Sequence, residues 1–266
     1  MYDEADHVRD YVRLMLEAAG LDGGVPVEMV GHGQSGDIVA LTPEVAVKFA
    51  PGDMPGNVAL LAREIEVARW LDGRVPVARP IWTGPFDEGL LMVAERAAGA
   101  AVSHLPEGQV RAGLVATVEA MAHLHGLDPA GCPFDMSLAA KFALAERNVA
   151  KGLVDEDDFD DERAGWTARQ ALDAALAARP AVERLALTHG DASLPNFVWT
   201  PGRSPVLVDL GRFGLADPWQ DLALFLRSAK FNYPDIDAAA ILREVYPLEA
   251  VDEAACAFYR LMDEFF

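Results

Sequence analysis

Hydrophobic and polar residues alternate along this chain with two periods, one typical of α-helices and one typical of β-strands. In residues 57–72, Leu61, Ile65 and Ala68 recur at the spacing that places them on one face of a helix. Helical spacing predicts helices over 6–19, 57–72, 107–126, 134–151, 166–178, 219–229, 236–245 and 251–265. Short apolar runs between turn-forming residues predict strands over 25–30, 37–41, 45–50, 81–83, 90–94, 185–188, 197–200 and 206–209. This distribution predicts an α+β fold with a sheet-containing lobe at 1–96 and a larger, mostly helical lobe at 97–266.

The charge of the chain is strongly acidic. Its 266 residues include 22 Lys and Arg against 42 Asp and Glu, a formal net charge of −20. Such a chain has no basic footprint for nucleic acid and is repelled by anionic lipid surfaces, so we expect neither partner. The excess of acids suits a cationic partner or serves only solubility, and composition alone favours solubility.

The cysteine count and the hydropathy of the chain indicate a cytoplasmic protein. Cys132 and Cys256 are too few for a disulfide framework. No apolar run reaches the length of a membrane span, and the charged segment 1–13 lacks the apolar core of a signal peptide. We therefore expect a protein outside the membrane, in a compartment that supplies ATP.

A glycine-rich segment joins the first two predicted strands. Residues 31–36 read Gly-His-Gly-Gln-Ser-Gly, a pattern that is weak evidence for a dinucleotide site because no helix follows it. Between two strands, such glycines let backbone N–H groups approach phosphate oxygens. An ordinary hairpin turn has the same composition, so both interpretations stay open.

Lys48 lies near the end of the apolar strand that follows this hairpin. A lysine in that position is usually solvated, but behind a glycine-rich hairpin it could bind nucleotide phosphates. Such a lysine needs an acidic partner, and the next predicted helix offers Glu64 and Glu66. Glu64 lies at the edge of the apolar face of that helix, so we choose Glu64.

The strongest chemical signal surrounds a short predicted hairpin in the second lobe. Asp191 precedes its first strand, Asn196 lies at the start of that strand, and Asp209 ends its second strand. Asp191 could orient an attacking hydroxyl group and accept its proton, while the side-chain oxygens of Asn196 and Asp209 suit Mg²⁺. Any one of these residues could instead cap a turn, but three of them in an apolar stretch indicate a kinase-like site. The Walker A motif of P-loop enzymes is absent from the sequence.

Together these motifs resemble the protein-kinase-like phosphotransferases, and most closely the aminoglycoside 3′-phosphotransferases. The closer resemblance rests on residues 128–135 (DPAGCPFD), 152–155 (GLVD), 189–196 (HGDASLPN), 209–212 (DLGR), 216–221 (ADPWQD) and 258–266 (FYRLMDEFF). It implies a bilobal protein-kinase-like α+β fold with an antiparallel sheet in the N-terminal lobe. It also implies ATP-dependent phosphorylation of the 3′-hydroxyl group of aminoglycosides, which confers antibiotic resistance.

The resemblance assigns roles to the nucleotide side of the site. ATP would be bound by Ser35, Lys48, Glu64, Ala94, Glu95 and Ala97. Among these, Lys48 would bind the phosphates while paired with Glu64, and the backbone of the last three would meet adenine. Asp191 would be the catalytic aspartate, and Asn196 and Asp209 would hold Mg²⁺.

On the substrate side the resemblance gives the acidic charge a location. Residues 155–162 include seven acids in eight positions. Such a run of charge alone indicates a solvated loop. The resemblance implies instead that this loop closes over a polyammonium sugar. The acids at 263–264 lie beside the negative end of a helix, and the α-carboxylate of Phe266 adds another anion. The substrate would be bound by Asp158, Asp160, Asp161, Arg212, Arg227, Asp263, Glu264 and Phe266.

Two departures from the family pattern affect the substrate side alone. Ser228 stands where close relatives carry an acid, and a second acidic position falls on or beside Phe231.

Two alternatives stay open: a kinase of another small alcohol, such as choline, a macrolide or a sugar, and a nucleotide-binding regulator without catalysis. The intact Lys48, Asp191 and Asp209 argue against the regulator, and the acidic loop favours an amine-rich substrate. We expect a monomer or weak dimer.

Overall fold

A computed structural model of the chain describes residues 4–32 and 37–266. Its strands are β1 Glu28–His32, β2 Ile38–Leu41, β3 Val45–Ala50, β4 Pro80–Phe86, β5 Gly89–Glu95, β6 Ala100–Ala101, β7 Ala186–Thr188, β8 Phe197–Trp199, β9 Val206–Leu207 and β10 Gly214–Ala216. Its α-helices are α1 Glu4–Ala18, α2 Pro55–Leu71, α3 Glu107–Gly126, α4 Leu138–Lys151, α5 Ala168–Ala177, α6 Trp219–Asn232, α7 Ala238–Val245 and α8 Glu253–Asp263. The predicted α+β class is confirmed.

Packing divides the chain into two units. The first contains Met1–Gly99 and Val206–Gly211, and the second contains Ala100–Pro205 and Arg212–Phe266. The lobe boundary that the sequence places at 96/97 stays a prediction.

The first unit is built on a five-stranded antiparallel sheet with the strand order β1-β2-β3-β5-β4. Side chains alternate across β3, so Val47 packs with Met15 of α1 in a core on one face. Ala50 packs with Leu61 of α2 in a smaller core on the other face. Lys48 shares the face of Ala50, so the strand period directs its side chain towards α2.

Strand β9 belongs to the first unit although it lies late in the sequence. It forms a parallel bridge between Leu207 and Val77, and the Leu207 N–H group donates to Pro76 O at 2.9 Å. Asp209 follows with a φ of +58°, a left-handed conformation that residues with a side chain rarely adopt. The strand predicted over 206–209 is therefore wrong at its end, because this backbone cannot continue a strand.

The second unit is mainly helical. Helices α4, α5, α6 and α8 share an apolar core that includes Phe142, Leu172, Ala223 and Phe258. Two short antiparallel strand pairs, β6 with β8 and β7 with β10, accompany these helices. The loop that carries Asp191 directly follows β7.

Helix ends follow capping residues more closely than the apolar pattern suggests. The helix predicted from Phe134 begins at Leu138, because Ser137 Oγ accepts a hydrogen bond from the Ala140 N–H group. Gly152 ends the same helix in a left-handed conformation with a φ of +64°.

Within 4–32 and 37–266, no helix combines the length and apolar character that a membrane span requires.

Candidate active site

Lys48 is the charged centre of the first unit. Its Nζ lies 2.8 Å from Glu64 Oε2 and 2.9 Å from Asp209 Oδ1, whereas Glu66 is exposed. Burial lowers the pKa of Lys48, but the two carboxylates outweigh burial and raise this pKa above its usual value. Burial raises the pKa of Glu64, and the charge of Lys48 opposes that rise. Lys48 is thus a fixed cation that can form charge-assisted hydrogen bonds with phosphate oxygens. Ser35, which we expected to bind the same phosphates, lies outside the described residues.

The expected adenine-binding segment begins inside the sheet. Ala94 is buried in β5, which ends at Glu95. The Glu95 N–H group donates to Arg79 O at 2.9 Å, and the Arg96 N–H group donates at 3.0 Å to a carbonyl of the β2–β3 turn. Ala97 lies beyond the end of β5, and the binding of adenine by this segment stays a prediction.

Asp191 lies in a loop of the second unit, where neighbouring side chains hold its carboxylate. Ser193 Oγ donates to Asp191 Oδ1 at 2.7 Å, and Asn196 Nδ2 donates to Asp191 Oδ2 at 3.0 Å. The Asp191 N–H group donates to His189 Nδ1 at 3.3 Å. Donors on both carboxylate oxygens fix the orientation of Asp191, which a general base requires.

Asp221 of α6 anchors this loop from inside the second unit. Its fully buried carboxylate accepts the N–H groups of His189 at 2.7 Å and Gly190 at 2.9 Å, and it pairs with His125 Nε2 at 2.9 Å. The Tyr246 hydroxyl group lies 2.8 Å from His125 Nδ1. Burial alone would raise the pKa of Asp221, but the hydrogen bond and charge of His125 hold this pKa below its usual value. Asp221 therefore links the loop of Asp191 to His125 of α3, a role that the sequence pattern did not reveal.

Glycine is the one residue type that fits position 190. Its φ is +88°, and a Cβ built on it would lie 1.9 Å from Arg212 O. Gln220 Nε2 donates to Gly190 O at 2.5 Å. The glycine before Asp191 therefore allows a close approach between two backbone segments.

Ser228 makes a structural contact at the position where an acid was expected from the family pattern. It is buried, and its Oγ accepts the Leu194 N–H group at 2.9 Å. Leu194 opens the short 3-10 helix that ends at Asn196, so Ser228 supports the loop of Asp191. Phe231, the second departure, is 85% exposed.

Asp263 binds both arginines that the resemblance placed near the substrate. Arg212 Nη1 lies 2.9 Å from Asp263 Oδ1, and Arg227 Nη2 lies 2.5 Å from Asp263 Oδ2. Burial lowers the pKa of Arg227, but the charges of Asp263 and Asp191 raise this pKa above its usual value. Arg227 therefore lies within electrostatic reach of both Asp191 and the C-terminal acids Asp263 and Glu264.

The ring of Phe266 contacts two cations. Arg212 lies 5.8 Å from the ring centroid, and Lys141 Nζ lies 5.5 Å from it. Lys141 is only 4% exposed, and burial lowers its pKa to about 8 against the opposing charge of Asp263. The sequence pattern did not reveal Lys141, because this residue lies on the apolar side of α4.

The acidic run 155–162 has specific contacts and is not a uniformly solvated loop. Asp155 caps the turn 156–158, and Glu156 Oε1 accepts the first N–H group of α5 at 2.7 Å. Phe159 is buried in the core of the second unit. Some carboxylates of this run therefore stabilise the local backbone by accepting hydrogen bonds from its N–H groups.

The three acids of this run that were expected to bind substrate differ in their surroundings. Asp158 and Asp161 are exposed. Asp160 instead pairs with the buried Arg163, which also lies 3.4 Å from Glu264 Oε1. Arg163 was missed in the sequence because it follows the acids as a single basic residue.

The residues expected to hold Mg²⁺ offer suitable chemistry. Asn196 Nδ2 faces Asp191, so the amide oxygen of Asn196 points away from that contact. The carboxylate of Asp209 is half-exposed and oriented by Lys48. Both side chains supply the hard oxygen ligands that Mg²⁺ prefers. Among the described residues, His, Cys, Asp and Glu form no group of three or more that could bind a metal ion.

Comparison with known proteins gives consistent matches over most of the chain. Residues 26–259 match the family described as "Phosphotransferase enzyme family", abbreviated APH. An aminoglycoside 3′-phosphotransferase of Streptomyces fradiae is 38% identical over 231 residues, 84% of this chain and 86% of its own. An aminoglycoside-3′-phosphotransferase of type VIII of known structure is 34% identical and superimposes with a TM-score of 0.82, covering 95% of this chain and 99% of its own. The aminoglycoside phosphotransferase APH(3″)-Id of Streptomyces rimosus, in complex with ADP and streptomycin, is 25% identical with a TM-score of 0.78, covering 96% and 97%. These matches confirm the expected fold.

Proposed function

Since this chain belongs to the phosphotransferase enzyme family, we propose that it transfers the γ-phosphoryl group of ATP to the 3′-hydroxyl group of aminoglycosides and so confers resistance to them. It is a kinase of the aminoglycoside phosphotransferase type. The similarity to the Streptomyces fradiae enzyme supports the 3′ position, and the ADP complex of the Streptomyces rimosus relative supports ATP as the donor. The need for ATP also supports the expected cytoplasmic location.

The observation that carries the proposal is the constrained carboxylate of Asp191. Ser193 and Asn196 donate to its two oxygens, and Asp221 holds the backbone before it. A carboxylate fixed in this way can orient an alcohol for attack, which is the main contribution of the protein in phosphoryl transfer.

The reaction consists of one bond formed and one bond broken. The substrate hydroxyl oxygen bonds to the γ-phosphorus, the bond between this phosphorus and the β,γ-bridging oxygen breaks, and ADP leaves with the electron pair. Asp191 accepts the hydroxyl proton. Lys48, kept protonated by Glu64 and Asp209, binds the phosphates. Asn196 and Asp209 would hold Mg²⁺, which supplies charge neutralisation to the phosphates.

The acids of the second unit suit a polyammonium substrate. Asp158 and Asp161 are exposed, and Asp263 lies beside Arg227, whose charge also acts on Asp191. Carboxylates and ammonium groups form charge-assisted hydrogen bonds and attract each other before contact. We place the drug amines against these acids.

Replacement of Asp191 by alanine tests the mechanism. We expect kcat for ADP release with kanamycin to fall by about 10²- to 10⁴-fold, because the general base and its orientation are lost. The affinity for ATP, measured by calorimetry, should stay close to the wild-type value. Asp173→Ala is the matched control, because Asp173 is exposed and its carboxylate pairs with the exposed Arg169. Activity near the wild-type level in Asp191→Ala would disprove the proposed role.

The same ADP-release assay, run with different acceptor substrates, distinguishes the aminoglycoside kinase from the two alternative functions. ADP release with kanamycin and neomycin but not with choline or a macrolide supports an aminoglycoside kinase. Release with choline alone favours a kinase of another small alcohol, and release with none of them favours a nucleotide-binding regulator. The expected monomer or weak dimer stays a prediction.

A further inference from the structure

Arg163 directly follows the acidic run 155–162, yet its side chain turns inward and is only 7% exposed. Its Nη1 pairs with Asp160 Oδ2 and lies 3.4 Å from Glu264 Oε1. Its Nη2 lies 3.7 Å from Glu162 Oε2. The Arg163 N–H group also donates to Asp160 O at 2.9 Å, which closes the turn that aims the side chain. One guanidinium therefore serves three carboxylates from two distant segments.

The carboxylates around Arg163 carry more charge than one guanidinium neutralises. Asp160 Oδ1 is buried without a hydrogen-bond partner among the described residues. The side chain of Glu264 is 7% exposed, and its burial and the charge of Asp160 raise its pKa to about 7. A buried carboxylate oxygen without a donor is costly, so this cluster retains the capacity to accept a further cationic donor.

We propose that Arg163 determines substrate specificity by supplying, from within the protein, a cation that Asp160 and Glu264 would otherwise take from the substrate. It thereby limits the number of ammonium groups that these acids accept. This inference rests on the proposed aminoglycoside substrate.

Arg163 and a substrate ammonium group compete for the same carboxylates, because both carry one positive charge. A guanidinium and an ammonium group bind carboxylates through the same charge-assisted hydrogen bonds, so a carboxylate already held by Arg163 has less to offer a drug amine. Arg212 and Arg227 form their ion pairs with Asp263, whereas Arg163 contacts Asp160 and Glu264. Without Arg163, Asp160 and Glu264 lose an ion-pair partner, which is strongly unfavourable unless another cation enters. An aminoglycoside with more amino groups then gains the most.

The test is the ratio of affinities for neomycin and kanamycin, measured by calorimetry without ATP at pH 8. Neomycin has more amino groups, so we expect Arg163→Gln to raise its preference over kanamycin by about tenfold, the worth of one charge-assisted hydrogen bond. The gain should shrink at high salt. Arg163→Lys keeps the charge and should keep a ratio close to that of the wild type. Arg169→Gln removes the same charge from an exposed pair with Asp173 and should leave the ratio unchanged.

Each result decides the inference. An unchanged ratio in Arg163→Gln, or an equal loss of affinity for both drugs, overturns it. If Arg163→Gln does not fold alone, recovery of a thermal transition by neomycin more than by kanamycin supports the inference, and no recovery overturns it. Because the readout is binding, it does not depend on turnover: failure of the proposed function would appear separately, as wild-type protein that releases no ADP with either drug.

Discussion

Lys48 and Glu264 are charged side chains in partly or largely buried surroundings, and their neighbours have opposite effects on their charge. Two carboxylates keep Lys48 protonated, whereas burial and the nearby Asp160 weaken the ionisation of Glu264. The sequence could suggest the first case, because Lys48 lies on a strand and Glu64 on the next helix. It could not suggest the second, because Asp160 and Glu264 lie 104 positions apart along the chain.

The titration of Glu264 predicts a pH dependence of aminoglycoside binding. Its pKa is raised to about 7, so the negative charge that attracts an ammonium group is mostly absent at pH 6 and mostly present at pH 8. We expect the KM for kanamycin to fall about five- to tenfold from pH 6 to pH 8, following the ionised fraction. Glu264→Gln should have a flatter profile and a higher KM at pH 8.

The KM for ATP over the same pH range is the control for this prediction. It reports on the first unit, where Lys48 stays charged. A fall in the kanamycin KM of equal size in Glu264→Gln would contradict the assignment.

Helix α6 shows what local patterns can and cannot predict about an element. Its apolar spacing was sufficient to predict a helix from Trp219, which the structure extends to Asn232. The pattern did not reveal that the buried polar residues Asp221 and Ser228 hold the loop of Asp191 from within this helix. Their partners lie more than 30 positions earlier in the chain, and local periodicity contains no information about such contacts.

Ser228→Ala tests the support that α6 gives to the loop of Asp191. The variant leaves the buried Leu194 N–H group without the Ser228 Oγ acceptor, which should cost about 1–3 kcal/mol of unfolding free energy. We also expect a lower kcat with little change in the KM for ATP, because the turn before Asn196 loosens. Ser204→Ala, at an exposed position, is the control for denaturant unfolding and for turnover. Equal stability of the two variants would disprove this role of Ser228.

For the whole molecule, the net charge of −20 is less informative than where the compensating cations lie. Composition suggested a solvated acidic surface, and the run 155–162 fits that description only in part, since Arg163 neutralises some of its charge from inside. Lys141 is a second buried cation, on the apolar side of α4 and against Phe266. Neither could be predicted, because the burial of a single basic residue depends on distant packing.

Lys141 should make the stability of the whole protein depend on pH in a specific direction. Burial lowers its pKa to about 8 in the folded state from 10.5, so between these values the unfolded chain binds more protons. Stability that depends on this group therefore rises with pH in that window. Cys256 acts oppositely, because burial raises its pKa to about 11 and the unfolded thiol ionises first.

Subtracting the unfolding free energy of Lys141→Met from that of the wild type cancels the contributions of Cys256 and of the net charge. From pH 7.5 to pH 9.5 we expect the wild type to gain about 2 kcal/mol of unfolding free energy relative to Lys141→Met, since one protonation difference is worth about 1.4 kcal/mol per pH unit. Urea denaturation at a series of pH values measures this difference. Parallel curves for the two proteins would show that Lys141 keeps its usual pKa in the folded state, and that its charge is balanced by Asp263 in spite of burial.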